Sequence, residues 1–223
     1  MSGVVLPVDF KLDNVSLMEP RKNTNGGMSI LLNYQNSTTG KNGPLLIQTP
    51  RMRVPFGVDK VEPESGIGLS KYSINISLAG SDEKNLNNQI FTEIIRNLDD
   101  YVKGQGVVKS TDWFGKTKTL EVVDELYKSA EKKPKNTKYA STLKLKLPFR
   151  LGSNDNIQSQ FSVFDENKTE VKVLVENNIS LDSIEKGCEV VAIIQCTGVW
   201  FVGKTSFGLG YKVVQLKVYK NQK

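Results

Sequence analysis

The chain has 223 residues, 38% hydrophobic and 24% charged, with a net charge of +6. A chain of that length buries about 70% of its unfolded surface, and this balance is that of a globular protein rather than a disordered chain or a membrane-embedded bundle. It contains no histidine, which removes the Ser-His-Asp and Cys-His arrangements, a histidine general base and histidine-ligated zinc.

The first 80 residues read as short β-runs broken by turns. "MSILLNY" (28–34) leads through the polar loop "NSTTGKNGP" to "LLIQTPRMRV" (45–54), which Pro55 and Gly57 end. "KYSINISLAG" (71–80) places Tyr72, Ile74, Ile76 and Leu78 on one face of a half-buried strand. The period then changes. Ile90, Ile94, Leu98 and Tyr101 recur at helical spacing over 85–102, with Ser81 or Asp82 as an N-cap and Gly104 as a stop. A second helical stretch puts Leu120, Val123, Leu126, Tyr127 and Ala130 on one side and ends at "EKKPK", with the short segment "DWFGK" between the two. This helical middle reads as an insertion into one β-domain or as a small separate domain.

The β character returns after Lys138. "STLKLKLPF" alternates Leu143, Leu145 and Leu147 with Lys144 and Lys146. "IQSQFSVFD", Glu170 to Leu174, the apolar run "CEVVAIIQCT", the segment "VWFV" and the closing "GYKVVQLKVY" follow, the last with Val214, Leu216 and Val218 on one face. Many strands, short turns and few helices indicate a barrel or sandwich.

Cys188 and Cys196 lie in an apolar β-stretch at a spacing that fits neither a Cys-x-x-Cys pair nor a disulfide framework, so they read as core residues. The opening "MSGVVLPVDFKLD" has no basic n-region or long apolar h-region, and the expectation is an intracellular protein whose Asn-x-Ser/Thr sequons stay unmodified.

"GVWFVGKT" (198–205) has the spacing of a phosphate-binding loop. Val199, Trp200, Phe201 and Val202 favour an extended chain, and a period-2 pattern follows Thr205 where a nucleotide site needs a helix. The stretch Gly203 to Gly210 therefore reads as a glycine-rich hairpin connection. Asp165 with Glu170 and Lys172 loosely resembles a metal-dependent nuclease set, but "FDENKTEVK" also has the composition of a polar hairpin. No catalytic site and no cofactor or metal site is expected.

The remaining candidate is a surface. An inward Leu143, Leu145 and Leu147 sends Lys144 and Lys146 outward, an inward Met52 and Val54 leaves Arg51 and Arg53 on the other face, and an inward Val214, Leu216 and Val218 exposes Tyr211, Lys217 and Tyr219. Lysine and arginine interleaved with aromatic rings suit an unpaired nucleic-acid strand, since the cations follow phosphates while the rings stack on bases.

"GPLLIQTPRM", "KYSINISL", the helical middle, "KYASTLKLKLP" and "GCEVVAIIQCTGVWFVGKTSFGLGYKVVQLKVY" occur in an order that resembles the poxvirus-type single-stranded DNA-binding proteins of large nucleocytoplasmic DNA viruses. The resemblance implies an OB-like β-barrel that coats single-stranded DNA during viral replication in the host cytoplasm, without base specificity or catalysis. It departs from many replication proteins of this kind in closing on "KVYKNQK" rather than an acidic partner-recruiting tail.

Together these readings give a mainly β fold, a single OB-like domain over 1–223 with a helical insertion at about 82–136. Phosphate contacts are expected from Arg51, Arg53, Lys144, Lys146, Lys204 and Lys212, and stacking from Tyr72, Tyr139, Trp200, Phe207 and Tyr211. The expected partners are single-stranded DNA, with RNA as an alternative, replication proteins, and further copies assembling on DNA. The competing reading is a non-catalytic β-structured virion or assembly protein.

Overall fold

A computed structural model describes residues 3–22, 27–79, 86–136, 138–176 and 178–220. The chain is mostly β-structure with a few helices. The principal strands of its main sheet are β1 (Val4–Val5), β2 (Arg21–Lys22), β3 (Met28–Ile30), β4 (Leu46–Gln48), β5 (Met52–Arg53), β6 (Val58–Val61) and β7 (Lys71–Ser77) before the helices α1 (Leu86–Val108), α2 (Ser110–Phe114) and α3 (Leu120–Leu126). After them come β8 (Thr142–Leu147), β9 (Ser162–Phe164), β10 (Glu189–Val202) and β11 (Ser206–Tyr219). The hydrogen-bonded order runs β1-β4-β10-β11-β8-β7-β6. β1 with β4, β8 with β11 and β9 with β11 pair in parallel.

"CEVVAIIQCT" and "VWFV" prove to be one continuous strand, and β10 pairs with β11 through a turn at Gly203 to Thr205. The glycine-rich connection expected over Gly203 to Gly210 is therefore shorter, and Gly208 and Gly210 lie inside β11. Two one-residue bulges set which side chains enter the core, because an extra residue on one strand flips the faces beyond it. Thr197 is the extra residue on β10, so Val190, Ala192, Ile194 and Cys196 face inward before it and Val199 and Phe201 after it. On β11 it is Val214. Phe207, Leu209, Tyr211 and Val213 face inward before the bulge, and Leu216 and Val218 after it. The expected exposure of Tyr211 carried the phase of Leu216 and Val218 back through this bulge; its ring is buried at 1% exposure.

At the first bulge Gly198 has φ +96°, and a Cβ there would collide with the carbonyl oxygen of Ile30 in β3. Only glycine allows the two strands to approach so closely.

α1 buries Phe91, Ile94, Ile95, Leu98 and Val102 against the sheet. Its N-cap candidates Ser81 and Asp82 lie outside the described residues, and it runs past Gly104 to Val108. Gly106, within the helix, is a packing position, because a Cβ there would press on Val123 and Phe207. The "DWFGK" segment supplies α2, which ends at Gly115 in the left-handed region. α3 stops at Leu126 instead of continuing to Ala130. Beyond it Tyr127 bridges to Phe207 and the Lys128 N–H donates to the Phe207 carbonyl at 2.7 Å, so the backbone finds its partners on β11 rather than within a longer helix.

Trp113, Phe114, Tyr127, Phe201 and Phe207 form one aromatic cluster, with ring centroids 5.1–6.2 Å apart, that locks the helices to one face of the β10–β11 ribbon. Cys188 and Cys196 are free and buried as the sequence suggested, and burial pushes the Cys196 thiol up to about 12. The helices pack on this inner face, which leaves the outward side chains of β7, β8, β10 and β11 for function.

Candidate nucleic-acid interface

The register of the central strands sets the site. Ser73 of β7 pairs with Lys146 of β8, Lys146 pairs with Lys212 of β11, and Lys212 pairs with Gln195 of β10. Neighbouring strands lie about 4.8 Å apart, so the two lysine stems stand side by side on the outer face. Lys144 follows two residues along β8 opposite Asn75, and Lys71 lies two residues from Ser73 on the same face. Desolvation by its surroundings lowers the Lys146 pKa, and the Lys71 and Lys144 charges lower it further, although the side chain remains exposed. None of these four lysines has an ion pair among the described residues. Asp59 of β6 pairs with Ser73 at the end of this row but is held by Asn75, so the clustered cations still repel one another and an anion relieves that repulsion.

Four residues back along β11, about 13 Å at the strand rise, lies the tryptophan of the same face. Trp200 pairs with Gly208, and its indole N–H donates to the Leu209 carbonyl at 3.2 Å. A Cβ on Gly208 would collide with the Lys128 carbonyl oxygen and meet the Trp200 ring at 3.0 Å, and one on Gly210 would meet Thr197 Oγ1 at 2.6 Å and the Trp200 ring at 3.6 Å. The two glycines are thus the bed on which the indole lies along the strand, with part of its surface still exposed. Arg21 of β2 continues the same cross-strand row through Ser29 of β3.

At the other end the lysine row runs into a cleft of about 740 Å³ between the loop at 53–59 and the segment 132–142. Exposed Arg53, Lys132 and Lys133 surround it, and Phe56 and Tyr139 flank it at 63% and 71% exposure. Its deeper wall is the outer face of β7 and β8, with Asn75, Ser77 and Thr142. Phe56, Lys71, Lys132 and Lys133 were not singled out by the sequence reading. An aromatic between Pro55 and Gly57 is a legible signal of an exposed ring, because such turns lie at the surface.

The structure brings together Arg53, Tyr139, Lys144, Lys146 and Lys212, with Trp200 farther along the same face. It sets the other expected residues apart. Phe207 and Tyr211 are buried, so neither ring is offered to a base. Tyr72 turns inward, edge-on to Phe149 at 5.5 Å. Lys204 lies in the hairpin turn against Gly115, eight residues or about 26 Å from Lys212. Arg51 is already engaged, paired with Glu189 at 2.6 Å and stacked over Tyr219 at 4.0 Å.

The phosphate-loop spacing runs from β10 into the turn and is followed by β11 at Ser206, so no helix opens at Lys204. The Asp165 side chain accepts the backbone N–H groups of Asn167 and Thr169 at 2.9 and 2.8 Å, which makes it the support of its own hairpin turn. Among the described residues, no group of acidic and sulfur ligands gathers as a metal site, and no helix is long and apolar enough to cross a membrane.

The fold is similar to that of gp2.5, a single-stranded DNA-binding protein encoded by bacteriophage T7, with a TM-score of 0.51 and 9% identity over 80% of this chain and 93% of that one. A single-stranded DNA-binding protein of bacteriophage Enc34 aligns with a TM-score of 0.44 and 13% identity over 93% of this chain and 97% of that one. An uncharacterized protein of Acanthamoeba polyphaga mimivirus is 26% identical over 194 residues, which is 84% of this chain and 28% of that protein. The chain thus spans little more than a quarter of that relative's length. Most of the chain, residues 74–223, matches a described protein family, and it belongs to that family of unknown function, DUF5871.

Proposed function

We propose that the protein is a non-catalytic single-stranded DNA-binding protein of OB-like architecture that holds the strand on the sheet face opposite the aromatic cluster. The observation that carries this reading is the row of Lys71, Lys144, Lys146 and Lys212, without carboxylate partners, set between the glycine-bedded Trp200 and the flanking rings Phe56 and Tyr139. Cations at that position take phosphates, and the rings at either end take bases that only an unpaired strand can offer. Charge and π-faces are common to every nucleotide, so binding is broadly sequence-tolerant. The likeness of the fold to a phage protein of that activity supports the same reading. Action in viral DNA replication within the host cytoplasm, assembly along the strand and contact with replication proteins belong to the proposal on the poxvirus-type layout of the sequence, and the mimivirus relative is in keeping with a viral source.

Fluorescence anisotropy with labelled oligo-dT and a matched duplex across a salt series tests it. The expected result is tighter binding to the single strand, with log affinity falling against log salt at a slope of about −2.8 if all four lysines meet phosphates. Equal weak binding to both would leave only a generic basic surface.

A further inference from the structure

The cleft beside the lysine row has layered polarity. Its exposed rim is cationic, with Arg53, Lys132 and Lys133, whereas Asp59 and Asn75 lie deeper. Asn75 Nδ2 donates to Asp59 Oδ2 at 2.7 Å. A carboxylate only accepts, so this bond fixes the amide's orientation and commits its donor side. Asn75 Oδ1 is left without a hydrogen-bond partner in a side chain only 6% exposed. Asn75 Oδ1 has almost no exposed surface, so the acceptors that the deep wall offers to a ligand are the remaining lone pairs of Asp59. Such a wall repels a phosphate, while the rim attracts one. A nucleotide fits this gradient in one orientation, with its phosphate at the rim and its base inside between Phe56 and Tyr139.

We infer that this cleft is a nucleobase subsite of the strand-binding surface and that it selects a base with an exocyclic amino group. The inference rests on the single-strand reading and adds a preference at one position to otherwise tolerant binding. The amino group of cytosine or adenine carries N–H donors that the Asp59 carboxylate can accept. Thymine presents a carbonyl at the corresponding position, and a buried acceptor facing another acceptor is left unpaired and costly. The volume of about 740 Å³ admits either ring size.

The test uses the full chain and labelled oligo-dC and oligo-dT of equal length, at mildly alkaline pH and one salt concentration, with a duplex control. Oligo-dC should bind about fivefold more tightly than oligo-dT. Asp59→Asn, which keeps an acceptor for Asn75 Nδ2 but replaces a wall acceptor with a donor, should bring that ratio to about one by weakening oligo-dC and strengthening oligo-dT. Tyr139→Ala, at an exposed position, should weaken oligo-dC more than oligo-dT. Equal wild-type affinities for the two oligomers, both above the duplex, would overturn the subsite and leave the strand reading standing. A preference that survives Asp59→Asn would also overturn it. Failure to bind either oligomer would remove the strand reading and the subsite together.

Discussion

Trp200 and Phe207 lie on paired strands seven residues apart, yet they face opposite sides of the ribbon and do different work. Phe207 has no exposure and touches Trp113, Phe114, Tyr127 and Phe201. Its truncation to alanine should cost about 3–5 kcal/mol of stability by transfer and cavity terms. Trp200 rests on glycine backbone, so Trp200→Ala should weaken single-strand binding by about 1–3 kcal/mol while denaturant midpoints move much less than for Phe207→Ala. Denaturation and anisotropy on the two variants separate the roles, and equal loss of stability would place Trp200 in the core. The sequence could not distinguish these rings, because the period-2 pattern is legible only between bulges. Thr197 and Val214 are unremarkable as letters, and each reverses the facing of the residues beyond it.

The same limit holds for whole elements. β8 was readable from "TLKLKL" alone, since each leucine and lysine takes its side from its own position in the pleat, and β7 supplies matching inward Ile74 and Ile76. Helix ends were not readable, because distant partners decide them: Gly106 belongs in α1 by its fit to Phe207, and α3 stops where β11 captures Lys128. A further tie of this kind joins α1 to the segment between α3 and β8, where Arg96 holds Glu131 in two hydrogen bonds of 3.0 and 2.9 Å. Those bonds lower the Glu131 pKa below the usual carboxylate range. A depressed folded pKa contributes stability above the unfolded value of about 4.3 and loses it as pH falls through the folded value. Arg96 is about half exposed, so solvent discounts the pair. Glu131→Gln should cost about 0.5–1 kcal/mol at neutral pH, with the difference from wild type shrinking in acid. Urea titrations at several pH values check this, and a pH-independent difference would assign the cost to packing instead.

For the molecule as a whole, the helices and the aromatic cluster occupy one side of the sheet and the lysine row the other, so stability and binding are spatially separated. Removing both Lys144 and Lys146 should therefore reduce the magnitude of the salt slope on single strands by about 1.4 with little change in thermal midpoint. An unchanged slope would take β8 out of the interface. The cationic character of this face was legible, since Lys144 and Lys146 alternate with the inward leucines of β8. The cleft was not, because Arg53, Asp59, Asn75 and Tyr139 come from four separate segments that meet only once the sheet is assembled.

The glycine bed at Gly208 and Gly210 also makes the protein its own optical probe. Its two tryptophans divide cleanly, Trp113 sealed at 2% exposure and Trp200 lying partly exposed on the proposed contact face. A base stacking on the second indole would quench its emission while the first kept a constant, blue-shifted background. Occupancy could then be followed in unlabelled material, with the Trp200→Ala protein as the dark control.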